Sequence, residues 1–304
     1  MSHEVETMAF AGQVPWHGLG ARVDENVTTK EMLAAAGLNW KVELLPLQFT
    51  TPAGDSVVVP DRFALVRNTD NRVLSLTGKS WHPLQNADAI GFMKKYVEAG
   101  GAKLETAGSL RNGKVVWGLA KLDHSFNVTK GDKVEGYLLI TSPHEVGKAI
   151  TIRTTTVRVV CANTMAMANS ASTVDYRQNH LDDFSFDEAH AAVANAHEQL
   201  VLAEKRAKTL AKLKISLRDA LENVILPAAF PDVVASEGYD VDVMLLPENQ
   251  PKKLQEIINS INNAPGADPR TGWGMLNGVT HWADHVAGRD PAARLYRSWG
   301  GDSS

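Results

Sequence analysis

The chain has 304 residues, of which 44% are hydrophobic and 22% charged, so it can bury a core for one large domain or two ordinary ones, and disorder is excluded. Its formal net charge of −4 argues against a general polyanion binder. No stretch approaches the ~18 apolar residues that span a bilayer and the N-terminus is acidic, so we expect no membrane partner and a cytoplasmic location.

The N-terminal third predicts a short helix, four strands and a second helix. Thr28 and Glu31 form a capping box, and Gly37 suits the left-handed position that closes a short helix. Asn86 is the predicted N-cap of the second helix, which ends at Gly100-Gly101. Between the helices, strand-forming runs separated by turn residues predict strands at residues 40–49, 56–59, 62–67 and 72–76.

The middle of the chain predicts an antiparallel β-meander. Asn112-Gly113 is a strong hairpin signal. The predicted strands cover residues 103–110, 114–122, 133–141 and 149–160. Arg153 and Arg158 lie on opposite faces of a regular strand, because side chains alternate along it. We therefore predict a β-bulge near residues 155–156, which brings both arginines to one face.

Beyond residue 180 the pattern becomes helical. Ser185 and Glu188 form a second capping box, which opens a long Ala-rich stretch up to about Leu217. Asn249 is the predicted cap of a helix that runs to Asn262, and further helical segments are predicted at about 273–286 and 291–299. The predicted fold class is α+β. An antiparallel β-meander with helices packed on it forms residues 1–180, and residues 181–304 form a mainly helical C-terminal part.

Three motifs follow one another along the chain. They are Trp16-His17-Gly18-Leu19-Gly20, Arg158-Val159-Val160-Cys161-Ala162-Asn163-Thr164, and Thr271-Gly272-Trp273-Gly274 followed by Asn277-Gly278-Val279-Thr280. In this order they resemble the phage/plasmid-like protein family, a domain-of-unknown-function family of phages, plasmids and bacteria. The resemblance extends from about Phe10 to about Gly301. It implies a phage or mobile-element origin and brings no catalytic residues with it.

Basic residues are concentrated in the predicted meander. Between Gly101 and His180, ten Lys and Arg residues stand against six Asp and Glu, so this window carries +4 and the rest of the chain −8. Such a sheet suits nucleic-acid phosphates, which require local rather than global charge, and a solvated sheet face is the alternative. The predicted nucleic-acid-binding residues are Lys114, Lys121, Lys148, Arg153, Arg158 and Arg177.

Aromatic residues accompany these cations. Trp117, Tyr137 and Tyr176 could stack bases without sequence preference. Trp117 also shares one strand face with Val115 and Leu119, which favours a place in the core. In outline, a helix, an antiparallel meander and another helix resemble the core of the single-strand annealing proteins that phages encode.

The sequence gives little support for a catalytic or metal site. His281 and His285 stand four apart on a predicted helix beside Asp284, so both imidazoles could face one metal ion. The glutamate of a zinc-protease helix is missing and no third ligand follows from spacing, so we predict no metal, no cofactor and no catalytic residue. Cys161 is predicted to be a buried small hydrophobe, and His17 to lie in a packed loop.

Together these observations predict a phage or mobile-element protein that binds and anneals single-stranded DNA without catalysis in the cytoplasm of a bacterial host cell. We also expect a homo-oligomer, because aromatic residues favour interface cores and the C-terminal part contains Trp273, Trp282, Tyr296 and Trp299. Two alternatives stay open. One is a metal-dependent nuclease or hydrolase that uses His281, Asp284 and His285, and the other is a protein-interaction factor that acts on a host system.

Overall fold

A computed structural model describes most of the chain, namely residues 4–15, 17–160, 164–165, 168–169, 174–194, 196–226, 250–263 and 268–282. The chain divides into two compact units. Of the described residues, unit 1 contains those in 4–125 and 135–200, and unit 2 contains those in 126–134 and 201–282. The predicted domains, residues 1–180 and 181–304, stay a prediction, because a compact unit is not in itself an independently folding domain.

The described strands form two sheets. The strands are β1 Val5–Ala11, β2 Ala21–Val23, β3 Val42–Thr50, β4 Ser56–Arg67, β5 Arg72–Thr77, β6 Ala102–Leu110, β7 Val115–Thr129, β8 Asp132–Pro143, β9 Ile150–Thr155 and β10 Tyr176–Gln178. The large sheet has the order β10-β9-β8-β7-β6-β1-β2, and the small sheet has the order β3-β4-β5. From β6 to β10, neighbouring strands are also consecutive in sequence, so the predicted meander is confirmed.

The large sheet is wider than predicted. At one edge β1 pairs antiparallel with β6, and β2 pairs parallel with β1; β10 adds a short strand at the other edge. These strands lack the signals that predict strands from sequence. Most residues of β1 are buried, so apolar and polar residues do not alternate, and β2 and β10 have only three residues each.

The described helices cluster in the C-terminal half, as predicted. They are α1 Thr29–Ala35, α2 Asn86–Gly91, α3 Lys94–Glu98, α4 Phe186–Val193, α5 Ala196–Lys212, α6 Leu217–Ala220, α7 Gln250–Asn263 and α8 Gly272–His281, and a π-helical turn Leu221–Ile225 follows α6. The α+β fold class is confirmed. In the described ranges, every helix is too short or too polar to cross a bilayer.

In both predicted capping boxes, the Thr or Ser hydroxyl accepts the expected hydrogen bond from the backbone N–H of the glutamate three residues later. The hydroxyl of Thr28 accepts from Glu31 N at 3.3 Å, and the Glu31 carboxylate accepts from Thr28 N at 2.9 Å. The same contact lowers the pKa of Glu31, because a backbone hydrogen bond stabilises the carboxylate. Ser185 caps α4 by accepting from Glu188 N at 3.4 Å.

The predicted cap at Asn86 is wrong. Gln85 occupies the N-cap position of α2, and Asn86 is the first helical residue. The Asn86 side chain is buried, and its amide nitrogen donates to the carbonyl oxygens of Leu38 and Trp40, each at 3.2 Å. Asn86 therefore connects α2 to the segment that precedes β3. Its side chain bonds to these distant carbonyl groups instead of capping its own helix.

The predicted bulge near residues 155–156 is also wrong. Strand β9 ends at Thr155, and its pairing with β8 is regular from Thr151 to Thr155. The Thr155 hydroxyl accepts from Val157 N at 3.1 Å, a side-chain turn that ends the strand. Arg158 consequently lies in the segment after β9 and not on the strand that carries Arg153.

Both faces of the large sheet are buried. One face packs against the helices of unit 1 and contains Val116 and Ile140, and the other contains Trp117 and Leu139 beneath the segment that follows β9. The Trp117 side chain is 0% exposed and its Nε1 donates to Thr106 Oγ1 at 3.2 Å. Trp117 is thus a core residue, and its rings are not available to a base.

The described residues of unit 2 form two small cores. One joins α7 and α8 through Ile257, Ile261 and Met275, with Gly278 so close to Ile261 that a Cβ at Gly278 would lie 2.3 Å from Ile261 Cα. The other contains Phe126 and Val128 from the end of β7. A short bridge between Lys214 and Thr271 connects the segments before α6 and α8.

Replacing Gly108 by Ala tests how tightly β1, β6 and β7 are packed. The new Cβ would lie 2.3 Å from Trp117 Cη2 and 2.5 Å from the backbone oxygen of Thr7, so the sheet has to shift. We expect a loss of about 3 kcal/mol in the free energy of unfolding, measured by urea denaturation. Gly91→Ala is the control, because nothing lies within 4 Å of its Cβ position and alanine favours the helix. Equal stability of both variants would contradict the packing.

Candidate functional site

The six predicted nucleic-acid-binding residues do not lie on one surface. Lys121 and Arg158 line one groove, and Lys148 and Arg177 line a separate cavity. Arg153 is half-buried in β9, and Lys114 is half-buried in the turn between β6 and β7. The predicted cations are therefore divided between two concave regions.

The charged groove, named here for Glu105, Lys121, Glu135, Tyr137 and Arg158, has a volume of about 650 Å³. Lys121 Nζ lies 2.7 Å from a Glu135 oxygen, and Arg158 Nε pairs with Glu105. Tyr137 donates its hydroxyl hydrogen to Glu135 at 3.1 Å. Burial raises the pKa of Tyr137, and the nearby carboxylates add to this. Lys121 and Arg158 are thus neutralised, and among the described lining residues four carboxylates stand against three cations, the third of which is the exposed Lys103, so the attraction of the groove for a phosphate is weak.

Arg158 has a second set of partners in the N-terminal part of the chain. Its Nη2 donates to the carbonyl oxygens of Ala11 at 3.2 Å and Gln13 at 2.7 Å. His17 Nδ1 accepts from Leu19 N, so its Nε2 carries the hydrogen and donates to the carbonyl oxygen of Val160, both at 3.1 Å. The first two sequence motifs therefore meet in space, and their described residues hold the N-terminal loop against the chain after β9.

Arg153 is also committed to the fold. Its Nη1 donates to the carbonyl oxygen of Asn169 at 3.2 Å. Burial lowers the pKa of this guanidinium, Asp175 partly offsets that effect, and the neighbouring Arg177 lowers the pKa further. Arg153 thus contributes positive potential near Arg177 rather than an exposed contact.

The second concave region, called the Trp81–Arg177 cavity, has a volume of about 580 Å³ and lies between residues 77–81, 146–149 and 177–181. Lys148 and Arg177 are exposed at its wall, and among the described residues that line it there is no carboxylate. The Arg177 guanidinium makes no ion pair within the described part of the chain. Ser80 and Asn179 add a hydroxyl and an amide to the lining. Gly147 allows the backbone of the wall to turn, with a φ of +81°.

Two loops that form the cavity walls are bonded to each other. His82 N donates to the carbonyl oxygen of His180 at 2.7 Å, and His180 Nδ1 donates to the carbonyl oxygen of His82 at 3.1 Å. The rings of Trp81 and His180 stack, with centroids 4.2 Å apart and planes 13° apart. His82 Nδ1 donates to an Asp183 oxygen at 2.8 Å. These contacts fix the walls before any ligand arrives, which is a requirement for a preorganised site.

Behind these loops lies a second buried histidine. His144 Nε2 donates to Asn86 Oδ1 at 3.2 Å, and the ring is 0% exposed. Burial disfavours the imidazolium and His180 adds repulsion, so the pKa of His144 falls to about 3. Burial also lowers the pKa of His180. Both rings are therefore neutral at pH 7 and contribute hydrogen-bonding atoms instead of charge.

Some buried polar atoms near the cavity have no hydrogen-bond partner in the described residues. They include Trp81 Nε1, a donor on a residue that lines the cavity, whereas the ring of His180 is bonded to the backbone of both His82 and Pro143. An unsatisfied buried group of this kind costs about 1–3 kcal/mol, so it marks a place where water or a ligand gains a hydrogen bond. Sequence reasoning missed both residues, and their only signal was a Trp and several His residues in turn-rich segments.

Of the three residues of the candidate metal site, the structure describes only His281. His281 is the last residue of α8, whereas Asp284 and His285 lie outside the described residues, as do Cys161 and Trp16. In the described part of the chain, no three His, Cys, Asp or Glu side chains are grouped to hold a metal ion.

A family model described as Domain of unknown function (DUF932) matches residues 73–299. The chain belongs to this family. The DUF932 match includes all three segments of the Trp81–Arg177 cavity and the Arg158 motif, and it begins after the Trp16 to Gly20 motif. Among curated proteins and among solved structures, none matches the chain.

His144→Gln tests the buried histidine through the pH dependence of stability. Folded His144 stays neutral down to about pH 3, whereas a histidine in the unfolded chain takes up its proton near pH 6.5. The unfolded chain thus binds more protons below pH 6.5, so stability is lost as the pH falls from there, by at most about 1.4 kcal/mol per pH unit. Urea midpoints between pH 6 and 5 should fall less steeply in the variant, and an unchanged slope would show that His144 is not buried neutral.

Proposed function

We propose that this DUF932 protein is a phage or mobile-element factor that binds and anneals single-stranded DNA without catalysis in the cytoplasm of a bacterial host cell. The observation that carries the proposal is the Trp81–Arg177 cavity, which is lined by Arg177 and Lys148, with no carboxylate among its described lining residues. The proposed phosphate contacts are therefore made there and not in the charged groove.

Electrostatics support this choice between the two concave regions. A phosphate that approaches Lys121 or Arg158 has to compete with Glu135 and Glu105 at hydrogen-bond distance. A phosphate at the cavity meets Lys148 and the exposed guanidinium of Arg177, which makes no ion pair within the described part of the chain. Because nucleic-acid affinity comes mainly from phosphate contacts, a chain of net charge −4 can bind through such a local site.

The aromatic residues have a smaller part in the proposal than the sequence indicates. Trp117 and Tyr137 are at most 4% exposed, so neither presents a ring face to a base. Tyr176 is half-buried, and its hydroxyl donates to Gln178 at 2.8 Å. The proposed binding thus depends on phosphate contacts, which do not distinguish sequences.

The proposal includes a homo-oligomer, in which linked weak sites gain effective concentration along one strand. It is supported by the hairpin arm, residues 47–58. In this arm β3 and β4 pair with each other, whereas β4 pairs with β5 only from Phe63 onward. Phe49 is 54% exposed there, and Val57, its cross-strand neighbour on the same face, is 40% exposed. A two-stranded ribbon is marginal by itself in water, so a neighbouring protomer that covers these side chains would stabilise the arm.

The C-terminal aromatics give less support to the oligomer. Trp273 Nε1 donates to Asp132 Oδ2 at 2.6 Å, and the ring packs against the unit 2 core around Phe126 and Val128. Trp273 therefore serves its own chain. Tyr296 and Trp299 lie outside the described residues.

Replacing Lys148 and Arg177 together by Ala tests the binding proposal. We expect weaker binding to a single-stranded oligonucleotide and a salt slope that is flatter by about 1.4, because each phosphate contact to a single strand contributes about 0.7. Fluorescence anisotropy at several salt concentrations measures both.

The matched control for this variant is Lys41→Ala combined with Lys94→Ala, which removes the same charge from exposed lysines away from the cavity. It should bind like the unmodified protein. Equal losses in both double variants would show a net-charge effect, and no loss in a folded Lys148/Arg177 variant would exclude the cavity.

Phe49→Glu tests the oligomer. A charge on the hairpin arm should lower the mass seen by light scattering toward the 33.0 kDa of one chain, because an apolar contact does not tolerate an unpaired carboxylate. Leu202→Glu is the control, since Leu202 is similarly exposed, at 46%, and lies on α5. If the unmodified protein already has the mass of one chain, the arm has another role.

A further inference from the structure

We infer that the solvent-exposed side of helix α5 binds the phosphate backbone of duplex DNA. This basic face consists of Lys205, Arg206, Lys208 and Lys212. The four residues belong to unit 2, and neither they nor a double-stranded ligand is part of the proposed function. A protein that anneals two strands meets such a duplex as the product of its own activity.

Positive charge is concentrated around the basic face. Residues 201–214 contain five Lys and Arg residues and one carboxylate, that of Glu204, so fourteen residues carry +4. The window from Gly101 to His180 carries the same +4 over eighty residues. Phosphate contacts require local charge, and this segment provides it within a part of the sequence that is acidic on average.

The cations of the basic face are available to a ligand. All four side chains are exposed. Lys208 pairs with Glu204 one turn earlier on the helix, and an exposed pair of this kind contributes little stability, so a polyanion can replace it. Lys205, Arg206 and Lys212 make no ion pair with the described part of the chain. Three positive charges therefore face solvent without a carboxylate partner there.

The opposite side of α5 belongs to a core of unit 2. Ala207 is 5% exposed and packs in the same core as Phe126 and Val128. A helix that lies on a membrane buries its apolar side at the lipid headgroups, whereas the apolar side of α5 is already covered by its own chain. The basic face consequently suits a polyanion in solution better than a lipid surface.

The length of the basic face favours a duplex over a separate strand. Lys205 and Lys212 are seven residues apart, which is about 10 Å along a helix that rises about 1.5 Å per residue. Over that length a duplex presents about six phosphate charges, and one strand about half as many. Residues 201–213 also contain no aromatic side chain on which unpaired bases could stack. The basic face thus fits the backbone of a duplex, whose bases are already stacked on one another.

The test replaces Lys205, Arg206 and Lys212 together by Ala, which favours a helix and should preserve the fold. Fluorescence anisotropy of a labelled duplex of about 20 base pairs should show at least about tenfold weaker binding near about 0.1 M salt. The salt slope should be flatter by about 2.7, because each phosphate contact to a duplex contributes about 0.9. The affinity for one separate strand of the same duplex should fall by less than about threefold.

Two controls accompany this α5 variant. Lys30→Ala, Lys41→Ala and Lys94→Ala together remove the same charge from exposed lysines of unit 1, and this variant should bind the duplex like the unmodified protein. Lys205→Arg combined with Arg206→Lys retains the charge of the basic face and should retain its affinity. Circular dichroism checks that each variant is folded.

The possible outcomes distinguish the α5 site from the proposed function. Unchanged duplex affinity and salt slope in a folded α5 variant overturn the inference, and so does an equal loss in the unit 1 control, which would show a net-charge effect. An equally large loss for the separate strand overturns the preference for a duplex. Binding to vesicles that contain phosphatidylserine, with none to the duplex, would make an anionic membrane the partner instead. If the duplex binds through α5 and the separate strand does not bind at all, the proposed function fails and the α5 site stands.

Discussion

The constraint on which the rest of this structure depends is that the large sheet is buried on both faces. Trp117 and Leu139 point to one core and Val116 and Ile140 to the other, so the centre of the sheet has no solvated face. Charged side chains are unfavourable in such positions unless they are paired. Among the cations that the strands contain, Lys121 in β7 and Arg153 in β9 are therefore half-buried and bonded to other groups, and Arg177 in β10 is exposed on an edge strand.

The cations outside the two cores lie in two electrostatically different regions. In the charged groove, Lys121 and Arg158 are paired with Glu135 and Glu105, and Arg158 also holds the N-terminal loop through backbone carbonyls. At the Trp81–Arg177 cavity the described lining residues include Lys148 and Arg177 but no carboxylate. The same residue types thus serve the fold in one place and remain suited to a ligand in the other, and the difference is set by their acidic neighbours.

Local signals predicted much of the fold. The Thr28 and Ser185 caps, the Asn112-Gly113 hairpin and the meander depend on neighbouring residues, and all four are present. Contacts between distant segments defeated the other predictions. Asn86 bonds the chain before β3 instead of capping its helix, and β1 is buried on both faces, so it shows no alternation.

The sequence indicated which residue types form the candidate site but not how these residues are arranged in space. Lys148 and Arg177 stand out in the sequence as cations of the basic window, but their shared cavity depends on the paired loops around His82 and His180. The charge of a residue is visible in the sequence, whereas its ion-pair partner is a property of the tertiary fold. Arg158 shows this most clearly, because Glu105 lies far from it in sequence.

The most direct test of the central claim is to locate the bound strand. Photocrosslinking of the protein to a single-stranded oligonucleotide with photoreactive thymines, followed by mass spectrometry of the peptides, identifies the contacted segments. The account predicts crosslinks in residues 77–81, 146–149 and 177–181, the walls of the cavity. Crosslinks concentrated around Lys121 and Arg158 in the charged groove, with none at the cavity, would contradict it.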